Sequence, residues 1–191
     1  MLDITNVLDF IDSGRENVLH ERLSKFSCGL NQEIENFIRN KAIDFAKRSL
    51  SITYLVTDLD DGQILGYFAL THKSIVFNDA DLSNTARKKL ARYSRLDSKT
   101  GNYMASAFLL AQFGKNYAVD GGSRIKGSEL MQLALSVLLT VRRQIGGGIV
   151  YLDCENSSKL ISFYENEGFK KFDERFSEED NQQYIQFMRF L

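Results

Sequence analysis

The chain has 191 residues, a length that suits one α/β domain. It is 43% hydrophobic and 26% charged, with a net charge of -1, so its overall charge gives no support to a generally basic nucleic-acid or membrane-surface protein. Its two cysteines, Cys28 and Cys154, are too few for a disulfide framework and lie in no CxxC pair. We therefore expect a reducing, cytoplasmic setting, no metal and no membrane span.

The first third of the chain predicts a short lead-in element, a helix and a hairpin. Residues 2–13 predict a strand or a helix. Apolar residues recur at steps of three and four over residues 31–48, which indicates one helix, with Asn31 as its N-cap. Residues 51–57 and 63–71 predict two antiparallel strands, joined by an Asp-Asp-Gly turn.

The middle of the chain predicts a buried strand, a loop and an amphipathic helix. A helix is expected at residues 86–93, within a polar stretch. The apolar run at residues 104–113 predicts a strand covered on both faces. A glycine-bearing loop follows at residues 116–126, and then a helix at residues 127–143. Its expected buried face consists of Leu130, Leu133, Ala134, Val137, Leu138 and Val141.

The last third predicts a strand at residues 149–154, a helix at residues 158–166 that stops at Gly168, and a final strand at residues 183–190. Strand–helix–strand units in this half favour an α/β fold. The fold class we expect is α/β with α+β character: one domain over residues 1–191, with a central mixed β-sheet flanked by helices.

The loop and helix start after the buried strand carry phosphate-binding features. Main-chain N–H groups at a helix start attract phosphate, and glycines let the backbone approach a ligand closely. Arg124 and Lys126 would add charge-assisted contacts. The alternative is an ordinary strand–helix connection with a solvated basic tip. Neither a P-loop nor a dinucleotide fingerprint is present.

This segment, together with residues 150–172, resembles the GNAT acetyltransferases. The family's acetyl-CoA loop reads Q/R-x-x-G-x-G/A after its fourth strand. Arg124-Ile125-Lys126-Gly127 fits the first four positions, with Glu129 in place of the small residue. A second register places Gly127 at the final small position. The match is incomplete in both registers.

The resemblance implies acetyl-CoA as co-substrate and names its contacts. The strand edge at Gln112, Phe113 and Gly114 would hydrogen-bond the pantetheine arm. The diphosphate would lie on the loop and helix start, at Arg124, Ile125, Lys126, Gly127 and Ser128.

A second GNAT signature, A-x-x-x-Y-x-x-x-GF, is matched around Tyr164, with Leu160 in place of the alanine and Gly168-Phe169 as its GF pair. The resemblance implies that Tyr164 is the general acid that protonates the CoA thiolate. The alternative is a core tyrosine. Asn156 is implied as a further cofactor contact, and no general base is assigned.

The N-terminal half resembles a narrower group, the acetyltransferase toxins of toxin–antitoxin modules. The resemblance lies in Phe26-Ser27-Cys28-Gly29, in the helix at residues 31–48 and in the strand pair that ends with Gly66 to Leu70. Those enzymes acetylate the α-amine of aminoacyl-tRNA, so tRNA is implied as a partner. A basic segment could bind its phosphates. The alternative is a solvated helix face. The basic residues are Arg87, Lys88, Lys89, Arg92 and Arg95.

The sequence therefore predicts an acyltransferase that passes acetyl from acetyl-CoA to a primary amine by direct attack in a ternary complex. Two alternatives remain: a toxin-type enzyme acting on aminoacyl-tRNA, and a non-catalytic acyl-CoA-binding module. The amine acceptor itself is not readable from these patterns. The last strand and the early hairpin are surfaces at which two copies could form a homodimer.

Overall fold

The computed structural model describes residues 1–29, 31–178 and 181–191. The chain falls into two compact units. The first consists of Met1–Thr71 and Leu110–Val137, and the second of His72–Leu109 and Leu138–Leu191. The single domain over residues 1–191 stays a prediction.

The described residues form a mixed sheet. The strands are β1 (Leu2–Asn6), β2 (Ile52–Asp58), β3 (Ile64–Asn78), β4 (Leu96–Asp97), β5 (Asn102–Lys115), β6 (Ile149–Glu155), β7 (Lys170–Ser177) and β8 (Gln182–Phe190). The first unit has the order β1-β2-β3-β5, and the second has β3-β5-β6-β8-β7 with β4 on β5. β5 pairs with β6 in parallel, whereas β1–β2, β2–β3, β6–β8 and β7–β8 are antiparallel. The predicted fold class is confirmed.

Helices account for most of the remaining regular structure. They are α1 (Val7–Asp12), α2 (Glu16–Ser24), α3 (Gln32–Asn36), α4 (Ala42–Lys47), α5 (Asn84–Leu90), α6 (Gly127–Ile145) and α7 (Ser158–Asn166). A π-helical turn, Phe37–Lys41, joins α3 to α4. The helix predicted at 31–48 is therefore present with one wide turn inside it. Asn31 caps it as expected, because its Oδ1 accepts the N–H of Ile34 at 3.1 Å.

Each unit has its own hydrophobic core. In the first unit, α1 and α4 pack on β2, and Phe26, Ile38 and Tyr67 are fully buried. In the second unit, Phe77 and Leu90 are buried in a cluster that also includes residues of β5, β6 and β8. Burial of this apolar surface is the main favourable term for each unit.

The structure corrects three expectations. β3 continues seven residues beyond the predicted end at Thr71, to Asn78. The strand predicted at 104–113 is not covered on both faces at its start, because Met104 is 70% exposed. The buried face of α6 is rotated: Met131 and Leu135 are buried, whereas Leu133 is only half-buried. Both sets of side chains fit a 3.6-residue period, so spacing alone did not separate them.

Three elements were not predicted: α2, β4 and β7. β7 is rich in charged residues and its side chains are mostly exposed, so it lacks the apolar alternation of a half-buried strand. It is held by main-chain pairing with β8.

Candidate active site

The loop after β5 is anchored by the side chain of Asn116, which is buried in the first unit. Its Nδ2 donates to the Ile64 carbonyl at 2.8 Å. Its Oδ1 accepts the N–H of Ser27 at 3.0 Å and that of Ala118 at 3.1 Å. One amide therefore joins β3, the segment before α3, and the loop. Asn116 could not be identified from the sequence, because its partners lie up to 89 positions away and no local pattern marks it.

Arg124 ties the same loop to the β2–β3 turn. Its guanidinium donates to Asp58 at 2.5 Å and to Asp61 at 2.6 Å. The Asp58 carboxylate has its pKa lowered to about 2, first by the N–H of Asp60 and then by Arg124. The predicted contact of Arg124 with a diphosphate would require this double pairing to open. That role stays a prediction.

The start of α6 presents main-chain donors. The carboxylate of Glu129 accepts the N–H of Lys126 at 2.7 Å, as in a capping box. Gly127 and Ser128 begin the helix, so their N–H groups have no acceptor within it. The side chain of Ile125 is buried, which fixes the backbone just before them. The helix start can thus offer main-chain N–H groups to an anion.

The strand edge predicted to hold pantetheine also lies in the first unit. A Cβ atom at Gly114 would lie 2.5 Å from Cγ2 of Ile34, so a larger residue there would force a shift. Nε2 of Gln112 is 3.4 Å from Oε1 of Glu33. Phe113 is half-buried. In the second unit, β5 pairs with β6 at Phe108↔Val150 and Leu109↔Tyr151.

Tyr164 lies on α7 in the second unit and is 9% exposed. The rings of Phe169 and Phe187 lie 6.0 and 6.1 Å from its ring. Burial raises the pKa of its phenol, and the neighbouring Cys154 and Glu155 raise it further. The phenol therefore keeps its proton at neutral pH, as a general acid must. A buried core tyrosine would show the same burial, so the catalytic role stays a prediction.

Asn156 precedes α7 and is exposed. Ser157 occupies the N-cap position, and its side chain makes no capping hydrogen bond. The predicted cofactor contact of Asn156 stays a prediction.

The basic segment divides into paired and unpaired cations. Nε of Arg87 is 2.9 Å from Asp79, and Nζ of Lys89 lies 5.4 Å from the centre of the Phe190 ring. Arg92 and Arg95 pair with no acid among the described residues. They line a groove of about 670 Å³ in the second unit, which we call the basic groove.

Asp97 also lines the basic groove, and so do the exposed side chains of Val76 and Met104. Lys88 is exposed on α5. Over the described ranges, no group of three His, Cys, Asp or Glu side chains is placed to hold a metal ion. No helix among the described residues is long and apolar enough to cross a membrane.

No protein-family model matches the chain. A probable toxin TacT of Sinorhizobium fredii is 27% identical over 157 residues, which cover 79% of this chain and 78% of the relative. A solved structure of a bacterial toxin has a TM-score of 0.69 at 15% identity. The match covers 100% of this chain and 90% of the toxin chain.

The toxin AtaT is also similar, in two solved complexes. AtaT with acetyl-methionyl-tRNAfMet gives a TM-score of 0.63 at 17% identity, over 97% of this chain and 94% of AtaT. An AtaT mutant with acetyl-CoA and the C-terminus of the antitoxin AtaR gives a TM-score of 0.61 at 14% identity, over 99% of this chain and 92% of the AtaT chain. The predicted resemblance is confirmed: this chain has the fold of the GNAT acetyltransferases, and the similar proteins named above are toxins.

Proposed function

We propose that the chain is an acetyl-CoA-dependent N-acetyltransferase whose acceptor is the α-amine of aminoacyl-tRNA. The observation that carries this proposal is the β5–loop–α6 segment of the first unit. Its loop is anchored by Asn116, and the main-chain N–H groups of Gly127 and Ser128 head the helix that follows. Such a helix start binds phosphate, and the resemblance to GNAT acetyltransferases indicates the diphosphate of acetyl-CoA as its ligand.

The acceptor class is supported by the named similarities. AtaT has been solved with acetyl-methionyl-tRNAfMet, which is an aminoacyl-tRNA acetylated on its amino acid. The similar protein of Sinorhizobium fredii is a probable toxin. By the same comparison, we include an antitoxin protein among the proposed partners, as AtaT has AtaR. We also propose a cytoplasmic location, because that is where the proposed tRNA substrate is found.

The proposed reaction forms one bond and breaks one. The neutral amine nitrogen attacks the acetyl carbonyl carbon, a C–N bond forms, and the C–S bond to CoA breaks. The amine gives up a proton, and the departing thiolate takes one. Tyr164 is the proposed donor of that proton, because it stands at the tyrosine position of the matched GNAT signature and its phenol is protonated at neutral pH.

The tRNA surface we propose is the basic groove, with Arg92 and Arg95 as its phosphate contacts. Unpaired guanidinium groups bind phosphate without first breaking an ion pair. Arg87, which Asp79 holds, would contribute less.

The test is acetylation of methionyl-tRNA with labelled acetyl-CoA, together with growth on expression. We expect acetylated methionine on the tRNA and arrested growth with the wild type. We expect Tyr164→Phe to lower kcat by about 100-fold, the usual size of a general-acid contribution, and to relieve the arrest. Tyr103→Phe is the control, because Tyr103 is similarly buried, at 7% exposed, in the same unit.

Acetyl-CoA binding without acetyl transfer to any amine would favour the non-catalytic binding module. Transfer to small amines or lysine but not to methionyl-tRNA would leave the enzyme class standing and overturn the proposed acceptor. Equal losses in Tyr164→Phe and Tyr103→Phe would contradict the acid role of Tyr164.

A further inference from the structure

Glu33 differs from Glu35, the other acid of its helix. It lies in the first turn of α3 and its side chain is exposed. Glu35, two residues later, is held by Arg39 at 2.7 Å and by the hydroxyl of Ser27 at 3.0 Å. No Lys, Arg or His pairs with Glu33 in the part of the chain that the structure describes. A carboxylate without a cation can accept one from a ligand.

A contact with Gln112 places Glu33 at the strand edge. Its Oε1 is 3.4 Å from Nε2 of Gln112, the first residue of the segment proposed to hold pantetheine. That separation is long for an N–H···O hydrogen bond, and a neutral amide does not cancel a negative charge. Glu33 thus brings a negative charge to the edge of β5, and no cation among the described residues neutralises it.

Tyr67 fixes the helix turn that carries Glu33. Its hydroxyl donates to the Ile34 carbonyl at 2.7 Å, and its ring is fully buried. The same hydroxyl lies 3.5 Å from Oε1 of Gln112, but it has one proton, and the shorter contact takes it. Burial raises the pKa of Tyr67 well above its usual value, so this hydrogen bond persists at neutral pH. The backbone beside Glu33 is therefore tied to β3.

From this geometry we infer that Glu33 binds the protonated α-amine of the acceptor and directs it to the strand edge at Gln112. The ammonium then passes one proton to solvent, and the neutral nitrogen attacks the acetyl carbonyl carbon. The inference rests on the proposed acetyl transfer and gives that reaction its acceptor-recognition residue. An ammonium is a stronger partner for the carboxylate than the Gln112 amide, because its hydrogen bond is charge-assisted. Glu33 recognises the amine, whereas the basic groove recognises the RNA.

The experiment compares methionyl-tRNA with uncharged tRNA, which lacks the amine. Dissociation constants of both are measured for the wild type, Glu33→Gln and Glu33→Asp. Glu21→Gln is the control, because Glu21 is an exposed acid of the same unit, on α2. The wild type and Glu21→Gln should bind methionyl-tRNA more tightly than uncharged tRNA. Glu33→Gln should weaken methionyl-tRNA binding about tenfold, the effect of one charge-assisted hydrogen bond, and leave uncharged tRNA unchanged.

Kinetics with acetyl-CoA add a second readout. Glu33→Gln should raise the KM for methionyl-tRNA and leave the Kd of acetyl-CoA within about twofold, and Glu33→Asp should recover part of the KM. Equal weakening of both tRNA forms, or an unchanged KM in Glu33→Gln, would overturn the inference while leaving the acetyltransferase intact. A wild type that acetylates no amine would overturn both proposals.

Discussion

Tyr164 and Cys154 share one buried environment in the second unit, and burial raises the pKa of both groups. Burial, followed by Glu155, raises the pKa of the Cys154 thiol from its ordinary value of 9.0 to about 12. Its Sγ also contacts the Glu155 carbonyl at 3.1 Å. A thiol with so high a pKa stays protonated and unreactive at neutral pH. Cys154 therefore acts as a packing residue beside the proposed acid.

This thiol predicts a specific loss of stability at alkaline pH. Below pH 9 it is protonated in both folded and unfolded chains, so it contributes no pH dependence. Between pH 9 and about 12 only the unfolded thiol ionises, and the free energy of unfolding should fall by about 1.4 kcal/mol per pH unit from this group.

Urea unfolding at several pH values between 8 and 11 measures that slope. Cys154→Ala should show a shallower fall than the wild type over this range. The comparison of slopes removes the packing loss of the substitution, which is the same at every pH. Parallel slopes in the two proteins would contradict the assignment.

At the scale of elements, local patterns predicted the helices and strands with apolar periodicity, and α7 begins and ends where residues 158–166 indicated. They missed α2 and β7, whose sequences lack a marked apolar face. They also could not show the π-helical turn, because one extra residue barely changes the spacing. The same limit applied to the candidate active site. Glycines and a helix start were readable, whereas the pairing of Arg124 with Asp58 spans 66 positions and was not.

Glu129 at the start of α6 predicts a gain of cofactor affinity. Its carboxylate lies where an anion would approach the first main-chain N–H groups of the helix. Glu129→Gln keeps an oxygen that can accept the Lys126 N–H, and it removes the charge. Calorimetric titration should show acetyl-CoA binding about fivefold more tightly, as expected for one unfavourable charge pair in water. Glu21→Gln should show no change, and weaker binding in Glu129→Gln would refute the expectation.

Asn116 predicts a large stability loss from one small side chain. Asn116→Ala would leave the N–H of Ser27 and the carbonyl of Ile64 without their partner inside the first unit. We expect the free energy of unfolding to fall by about 3 kcal/mol, since each buried unpaired group costs about 1–3 kcal/mol. Urea unfolding measures it. The exposed Asn40→Ala is the control, and similar losses in both would contradict the anchoring role.

At the scale of the whole molecule, a net charge of -1 is compatible with RNA binding only if cations are locally concentrated. The basic groove meets this condition within the second unit, because Arg92 and Arg95 face it without an acid pair among the described residues. The net charge of the whole chain therefore does not report this local cluster of cations, which the basic segment of the sequence does indicate.

The salt dependence of tRNA binding tests this local concentration. A plot of log K against log salt should be linear, and Arg92→Ala or Arg95→Ala should each reduce its slope by about 0.7 to 0.9, the value for one phosphate contact. Arg87→Ala should change it less, because Asp79 already holds that guanidinium. Filter binding between 50 and 200 mM salt, about the range in which such slopes are resolved, measures it. Equal effects of all three substitutions on the slope would contradict the basic groove as the tRNA-binding surface.

The wide turn between α3 and α4 gives the first unit an unusual tolerance to a change of length. A π-helical turn holds one residue more than a regular α-helical turn, and the N–H of Ala42 accordingly donates to the carbonyl of Phe37, five residues back. Removing the exposed Asn40 would convert this stretch to an ordinary helix and leave Ile38 and Ala42 facing the core as before. A single-residue deletion, which elsewhere in a helix turns every later side chain by about 100°, would be absorbed at this point.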